Sequence, residues 1–135
     1  MNEPKWLNLE ALIDLHDLQI KLHGGTHGTR DLDLLKSALA QPQQAFSYQE
    51  PTPNEFELAA TYAFGICKNH PFFDGNKRAA LVASLLFLSI NGYTTHLPEQ
   101  EAYILFRSLA AGRISRKELA TWLQQHSKLK NKLIN

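Results

Sequence analysis

With 135 residues and 15.3 kDa, the chain fits one domain with room for a real core; 44% hydrophobic and 20% charged residues, with only 7 Gly and 6 Pro, exclude a collagen-like, low-complexity or wholly disordered polymer. A lone cysteine, Cys67, rules out an internal disulfide framework and a cysteine-based zinc cluster, and suits a reducing cytosol. The formal net charge of +1 gives no general pull toward nucleic acid or an anionic membrane, so any anion site has to be local.

Met1 to Leu9 carry neither a basic start with an apolar run nor a small-residue cleavage site, which predicts a cytoplasmic protein. From Leu9 to Leu22 the apolar residues recur mostly at three- and four-residue steps, the stripe of an amphipathic helix, with His16 expected as a satisfied interhelical histidine. The run from His23 to Arg30 holds three glycines and breaks that helix. Its Arg30 can either reach a bound nucleotide or pair with Asp31 or Asp33. His23 and His27 are separated by Gly24 and Gly25, which argues against a metal pair on one helical face. Asp31 caps a short helix through Leu39 that is expected to stop before Pro42. Residues 43–53, with Phe46 and Tyr48, then read as a loop and a possible substrate-facing flap.

Asn54 and Glu57 close a capping box for the next helix, which frays near Lys68 and Asn69. Beyond the segment His70 to Lys77, Arg78 to Ile90 is apolar almost all round, the pattern of a central helix. Its apolar part is shorter than the roughly 20 residues a membrane span needs. Asn91-Gly92 ends that helix, Tyr93 to Leu97 is extended, Glu99 to Leu109 is helical, and Ser115 with Glu118 caps a last helix. Lys128, Lys130 and Lys132 mark residues 128–135 as a basic, disordered tail behind a domain of residues 1–127. The expected class is all-α, a compact bundle of about six helices.

Chemistry concentrates in the stretch His70-Pro71-Phe72-Phe73-Asp74-Gly75-Asn76-Lys77-Arg78. The helix starting near Gly75 or Asn76 presents unpaired N–H groups and its positive dipole end, a ready anion site. Lys77 and Arg78 add charge where phosphate oxygens would sit. Asp74 would repel a bare phosphate but suits Mg²⁺ shared with one. An imidazole such as that of His70 can take the proton of an attacking hydroxyl, so the set describes phosphoryl or nucleotidyl transfer. Taken singly, each of these residues has a blander reading as a cap, a turn or an exposed basic pair. Phe72 reads as a core anchor.

The ordered string His-x-Phe-x-Asp-Gly-Asn-Lys-Arg resembles the signature of the Fic/Doc family, specifically its Doc (death-on-curing) toxin branch. The likeness extends to His23-Gly24-Gly25, Gly28-Thr29-Arg30-Asp31, Leu85-Leu86-Phe87-Leu88 and Asn91-Gly92-Tyr93, over roughly residues 9 to 125. It implies a helical Fic fold, with His70 as general base, Asp74 holding Mg²⁺, Gly75 and Asn76 shaping the anion site, and Lys77 and Arg78 on the nucleotide phosphates. AMP-transferring Fic enzymes usually carry Gly after the Asn and a second Arg three residues beyond the first; here Lys77 and Leu81 stand there. The Doc branch, which has this Lys, moves the γ-phosphate of ATP to elongation factor Tu and arrests translation. That activity is the expectation here, although Gly75 replaces the alanine of the founding Doc type. No inhibitory Ser/Thr-x-x-x-Glu-Gly/Asn string is present, the nearest being Thr95 to Glu99 followed by Gln100, so restraint is expected from a separate antitoxin protein. AMP transfer, a non-catalytic nucleotide- or partner-binding module and a ribonuclease are the competing functions; the charge balance and the lack of an aromatic-basic stripe count against the last.

Overall fold

The computed structural model describes residues 2–130. Among them the elements run α1 (Leu9–His23), α2 (Leu32–Tyr48), α3 (Glu55–Asn69), α4 (Asn76–Ile90), β1 (Tyr93–Thr95), α5 (Glu99–Ala110), α6 (Arg116–Gln125) and β2 (Ser127–Leu129). Short polar side chains set the helix starts. Asn8 accepts from the Ala11 amide and Asp31 from that of Leu34, while Asn54 with Glu57 and Ser115 with Glu118 close reciprocal capping boxes. The expected all-α bundle is present, with one small antiparallel sheet added.

Three expectations need correcting. The helix expected to stop before Pro42 runs on to Tyr48, so the flap of residues 43–53 does not exist as such; only Gln49–Asn54 separates α2 from α3. Proline forfeits one helical hydrogen bond, here to Ala38, at a cost of about 3 kcal/mol. Packing beyond it keeps the segment helical: Pro42 and Ala45 are buried, and Phe46 meets Trp6 edge-on with centroids 5.7 Å apart. The centre of the bundle belongs to α3 as much as to α4, since α3 packs against α2, α4, α5 and α6. Its small residues permit this. A Cβ at Gly65 would stand 3.3 Å from that of Ala38 on α2.

The basic tail also behaves differently from its composition. Ser127–Leu129 pairs with Tyr93–Thr95, and Lys130 donates its amide to Gly92 O at 2.9 Å and its Nζ to Ser89 O at 2.8 Å. The strand β1 offers an unpaired edge, and lysine extends well enough to cover it. Lys132 and the other residues of 131–135 lie outside the described residues. At the opposite end of the chain, the Leu7 amide donates to the buried Tyr62 hydroxyl at 3.1 Å, and burial pushes that phenol up to about 12. No helix among the described residues is long and apolar enough to cross a membrane.

Candidate active site

The nine-residue segment from His70 to Arg78 forms the turn between α3 and α4 and the start of α4. Helix α3 ends on His70, whose backbone is left-handed at φ 51° and ψ 54°, an arrangement that costs a non-glycine residue about 1–2 kcal/mol. Phe72 then plunges into the core as a fully buried ring, stacked on His16 of α1 with centroids 3.8 Å apart and planes 4° from parallel. Asn76 staples the turn: its Nδ2 donates to Phe72 O and its Oδ1 accepts from Phe72 N, both at 3.0 Å. Gly75, at φ 74°, opens α4 in a left-handed conformation suited to glycine.

This turn forms one wall of a cavity of about 860 Å³. His70, Asp74, Gly75, Asn76, Lys77 and Arg78 all line it, together with the apolar Leu81 and Leu85 farther along α4, with Leu97, Phe106 and Tyr103, and with Glu99 and Gln100 at the start of α5. In a regular helix the Arg78 amide would bond to Asp74 O. That carbonyl instead accepts from His16 Nε2 at 2.7 Å, and the first backbone bond of the turn is Ala79 N to Gly75 O at 2.8 Å. The leading N–H groups of α4 are thus left for a guest. No acidic residue occupies the first turn of α4, whereas each of the other five helices has one. Two cations at a positive helix end repel it and each other, an arrangement that an anion relieves.

Asp74 is bonded from a different loop. The Thr26 amide donates to its Oδ2 at 2.7 Å, and this bond, helped by the Thr26 side chain, lowers the carboxyl below its usual range. Oδ2 is engaged, which leaves Oδ1 for a cation. Among the described residues no three His, Cys, Asp or Glu side chains converge as a metal cage. A lone exposed carboxylate beside an anion site fits Mg²⁺ bound mainly by phosphate oxygens and water, and fits a protein-caged metal poorly. Cys67 also lines the cavity; burial pushes its thiol up to about 11, against the pull of the Lys77 charge, so it is a poor nucleophile.

The residues expected at the site therefore converge, with two refinements. Arg30 neither lines the cavity nor pairs with Asp31 or Asp33. Its Nε donates to His70 O at 2.8 Å and its Nη2 to Asn69 O at 3.1 Å, because the last carbonyls of a helix are the nearest unsatisfied acceptors. Asn76 spends its amide on Phe72, so only its backbone is left for a ligand. Sequence reasoning missed the link between His16 and Asp74, and the part of Gly25 and Thr26 in holding that carboxylate. The glycine run carried the signal: Gly25 stands at φ 119°, which L side chains rarely adopt, and a Cβ there would crowd that of Asp74 at 3.3 Å. His27 bonds Asp17 at 3.3 Å, away from any metal cluster among the described residues.

Comparison with known proteins matches residues 6–88 to the model of the Fic/Doc family. The protein kinase doc of Escherichia phage P1 is 36% identical over 116 residues, covering 86% of this chain and 90% of the relative. The toxin Doc of Mycolicibacterium smegmatis is 39% identical over 69 residues, 51% of this chain and about half (53%) of the relative's length.

Proposed function

This chain belongs to the Fic/Doc family, and from that membership we propose that it is a Doc-like toxin that transfers the γ-phosphate of ATP to a hydroxyl of a target protein. One observation carries the reading: a single cavity gathers His70, Asp74, Lys77, Arg78 and the unbonded leading amides of α4 beside an apolar surface that includes Leu81, Leu85, Leu97 and Phe106. A triphosphate with a flat base has this polarity. Phosphoryl transfer needs positioning and charge stabilisation more than covalent help, and that is what these residues offer.

His70 takes the proton of the target hydroxyl as its oxygen attacks the γ-phosphorus. The bond from that phosphorus to the β,γ-bridging oxygen breaks, and ADP leaves. The α4 amides, Lys77 and Arg78 hold the phosphate oxygens as charge builds on them. Asp74 would hold Mg²⁺, which would supply neutralisation of the phosphates and of the leaving group. Lys77 fills space that glycine would leave open. It adds a charge to the cradle, which favours a nucleotide lying with its γ-phosphate beside His70; the name of the phage relative, a protein kinase, supports the same choice. The proposal extends, on the resemblance of the motif to the Doc branch, to elongation factor Tu as the target, arrest of translation as the outcome, and a separate antitoxin protein as the restraint in the cytoplasm.

The test is isotopic. ATP labelled at the γ position marks the target in the presence of Mg²⁺ and the wild-type protein, and His70→Ala cuts the mark to a small residual rate and removes growth arrest on expression. Label arriving from the α position instead means AMP transfer. Undiminished arrest by the His70→Ala protein removes the general base from the account.

A further inference from the structure

We propose that Arg30, outside the motif and outside the cavity, is a positioning residue that sets the backbone of His70 and so aims its imidazole at the acceptor hydroxyl. This rests on the kinase reading for its chemistry, but the geometry is independent of it. Three successive carbonyls at the end of α3, those of Asn69, His70 and Pro71, accept hydrogen bonds from residues 30 and 31 of the glycine-rich loop. Arg30 Nε reaches His70 O at 2.8 Å and Nη2 reaches Asn69 O at 3.1 Å, while the amides of Arg30 and Asp31 reach Pro71 O at 2.7 and 3.0 Å. The strap continues through Phe73 N to Gly28 O at 3.3 Å.

The position of Arg30 matters because His70 is the one non-glycine residue at positive φ among the described residues. Such a conformation persists only where its surroundings over-determine it. A planar guanidinium is well matched to two adjacent carbonyls, because its fixed fork bridges both and its charge faces the negative end of α3. The strap that carries it is itself anchored, since Asp31 caps α2 through the Leu34 amide at 3.0 Å and Asn69 Nδ2 donates to Leu34 O at 2.9 Å. Release of the guanidinium frees His70 to relax toward an ordinary helical or extended backbone, which swings its side chain away from the cavity.

The test uses Arg30→Met, which keeps the stem and loses every donor, and Arg30→Lys, which keeps the charge but replaces the planar fork with a point donor. For phosphoryl transfer, Arg30→Met lowers kcat on the order of 100-fold while KM for ATP holds. Arg30→Lys recovers part of that loss. In a His70→Ala background Arg30→Met has no further effect on the residual rate, because the two residues act as one unit. The second readout is NMR of the His70 backbone and ring. In the Arg30→Met protein these signals move or broaden while those of the α2 and α5 core stay in place.

If the wild-type chain transfers no phosphate, the kinase reading fails and the NMR comparison alone decides the positioning role. His70 signals unchanged by Arg30→Met overturn the proposal. So does a loss carried by KM, which puts the guanidinium on the nucleotide, or an equal loss with and without His70.

Discussion

The Asp74 carboxyl is lowered below its ordinary pKa by a residue in another loop. The Thr26 amide lowers its carboxyl, so its pKa in the folded chain lies below that of the unfolded chain. A group shifted this way stabilises fully above its unfolded pKa, and the contribution is lost as pH falls through the lower, folded value. The tie between the glycine-rich loop and the turn therefore holds throughout the neutral range and loosens only in strongly acidic solution. Carboxyl NMR should find the Asp74 titration below the usual aspartate range; a midpoint at or above it would mean that the Thr26 contact is not formed in solution. Cys67 makes the opposite case. With its thiol pushed up to about 11, on the order of one thiol in ten thousand is ionised near neutral pH. Alkylation by iodoacetamide is expected to be slow there and to accelerate steadily into alkaline solution, although the residue lines the cavity. Rapid labelling at neutral pH would show a lower pKa than burial gives.

At the level of the element, the turn from α3 to α4 is held by bonds that its own sequence does not advertise. Asn76 satisfies both the amide and the carbonyl of buried Phe72. Asn76→Ala strands both, and each unpaired buried group costs about 1–3 kcal/mol. The variant should lose about 2–6 kcal/mol in urea unfolding; a loss within experimental error would mean that the staple is redundant. Gly75→Ala tests the left-handed opening of α4. Its Cβ would stand 3.2 Å from Ile20 Cδ1, the tip of a flexible chain that can move, so the main cost is the positive φ, about 1–2 kcal/mol by chemical denaturation. A stability gain would show that the helix start is not left-handed in solution. The helix starts were readable because Asn54, Ser115 and Asp31 carry their signals within three residues. The end of α2 was not, because what overrides Pro42 is a contact between Phe46 and Trp6, forty positions apart in the chain. The strand at Ser127–Leu129 was hidden for the same reason: charged composition says nothing about an edge waiting in β1.

Across the whole molecule, the bundle brings four separate stretches to one turn. Helix α1 supplies His16 to Asp74 O, the glycine-rich loop supplies Thr26 and Arg30, α3 and α4 supply the motif, and α5 closes the cavity with Phe106. The motif itself was legible because its residues are contiguous and their chemistry is coherent. Its supports were not, since His16 and Arg30 act on main-chain carbonyls that any sequence would offer. His70, Asp74, Lys77 and Arg78 line the cavity, while Arg30, which bonds the backbone of His70, does not. The central claim is that the cavity takes ATP with its γ-phosphate beside His70. A crystal structure with a non-hydrolysable ATP analogue and Mn²⁺ in place of Mg²⁺ tests it most directly, because the anomalous signal of the metal fixes the phosphates around it. The γ-phosphate next to the His70 imidazole, with the metal on Asp74, is the expected result. An α-phosphate in that place, or a nucleotide bound away from the start of α4, would contradict the account.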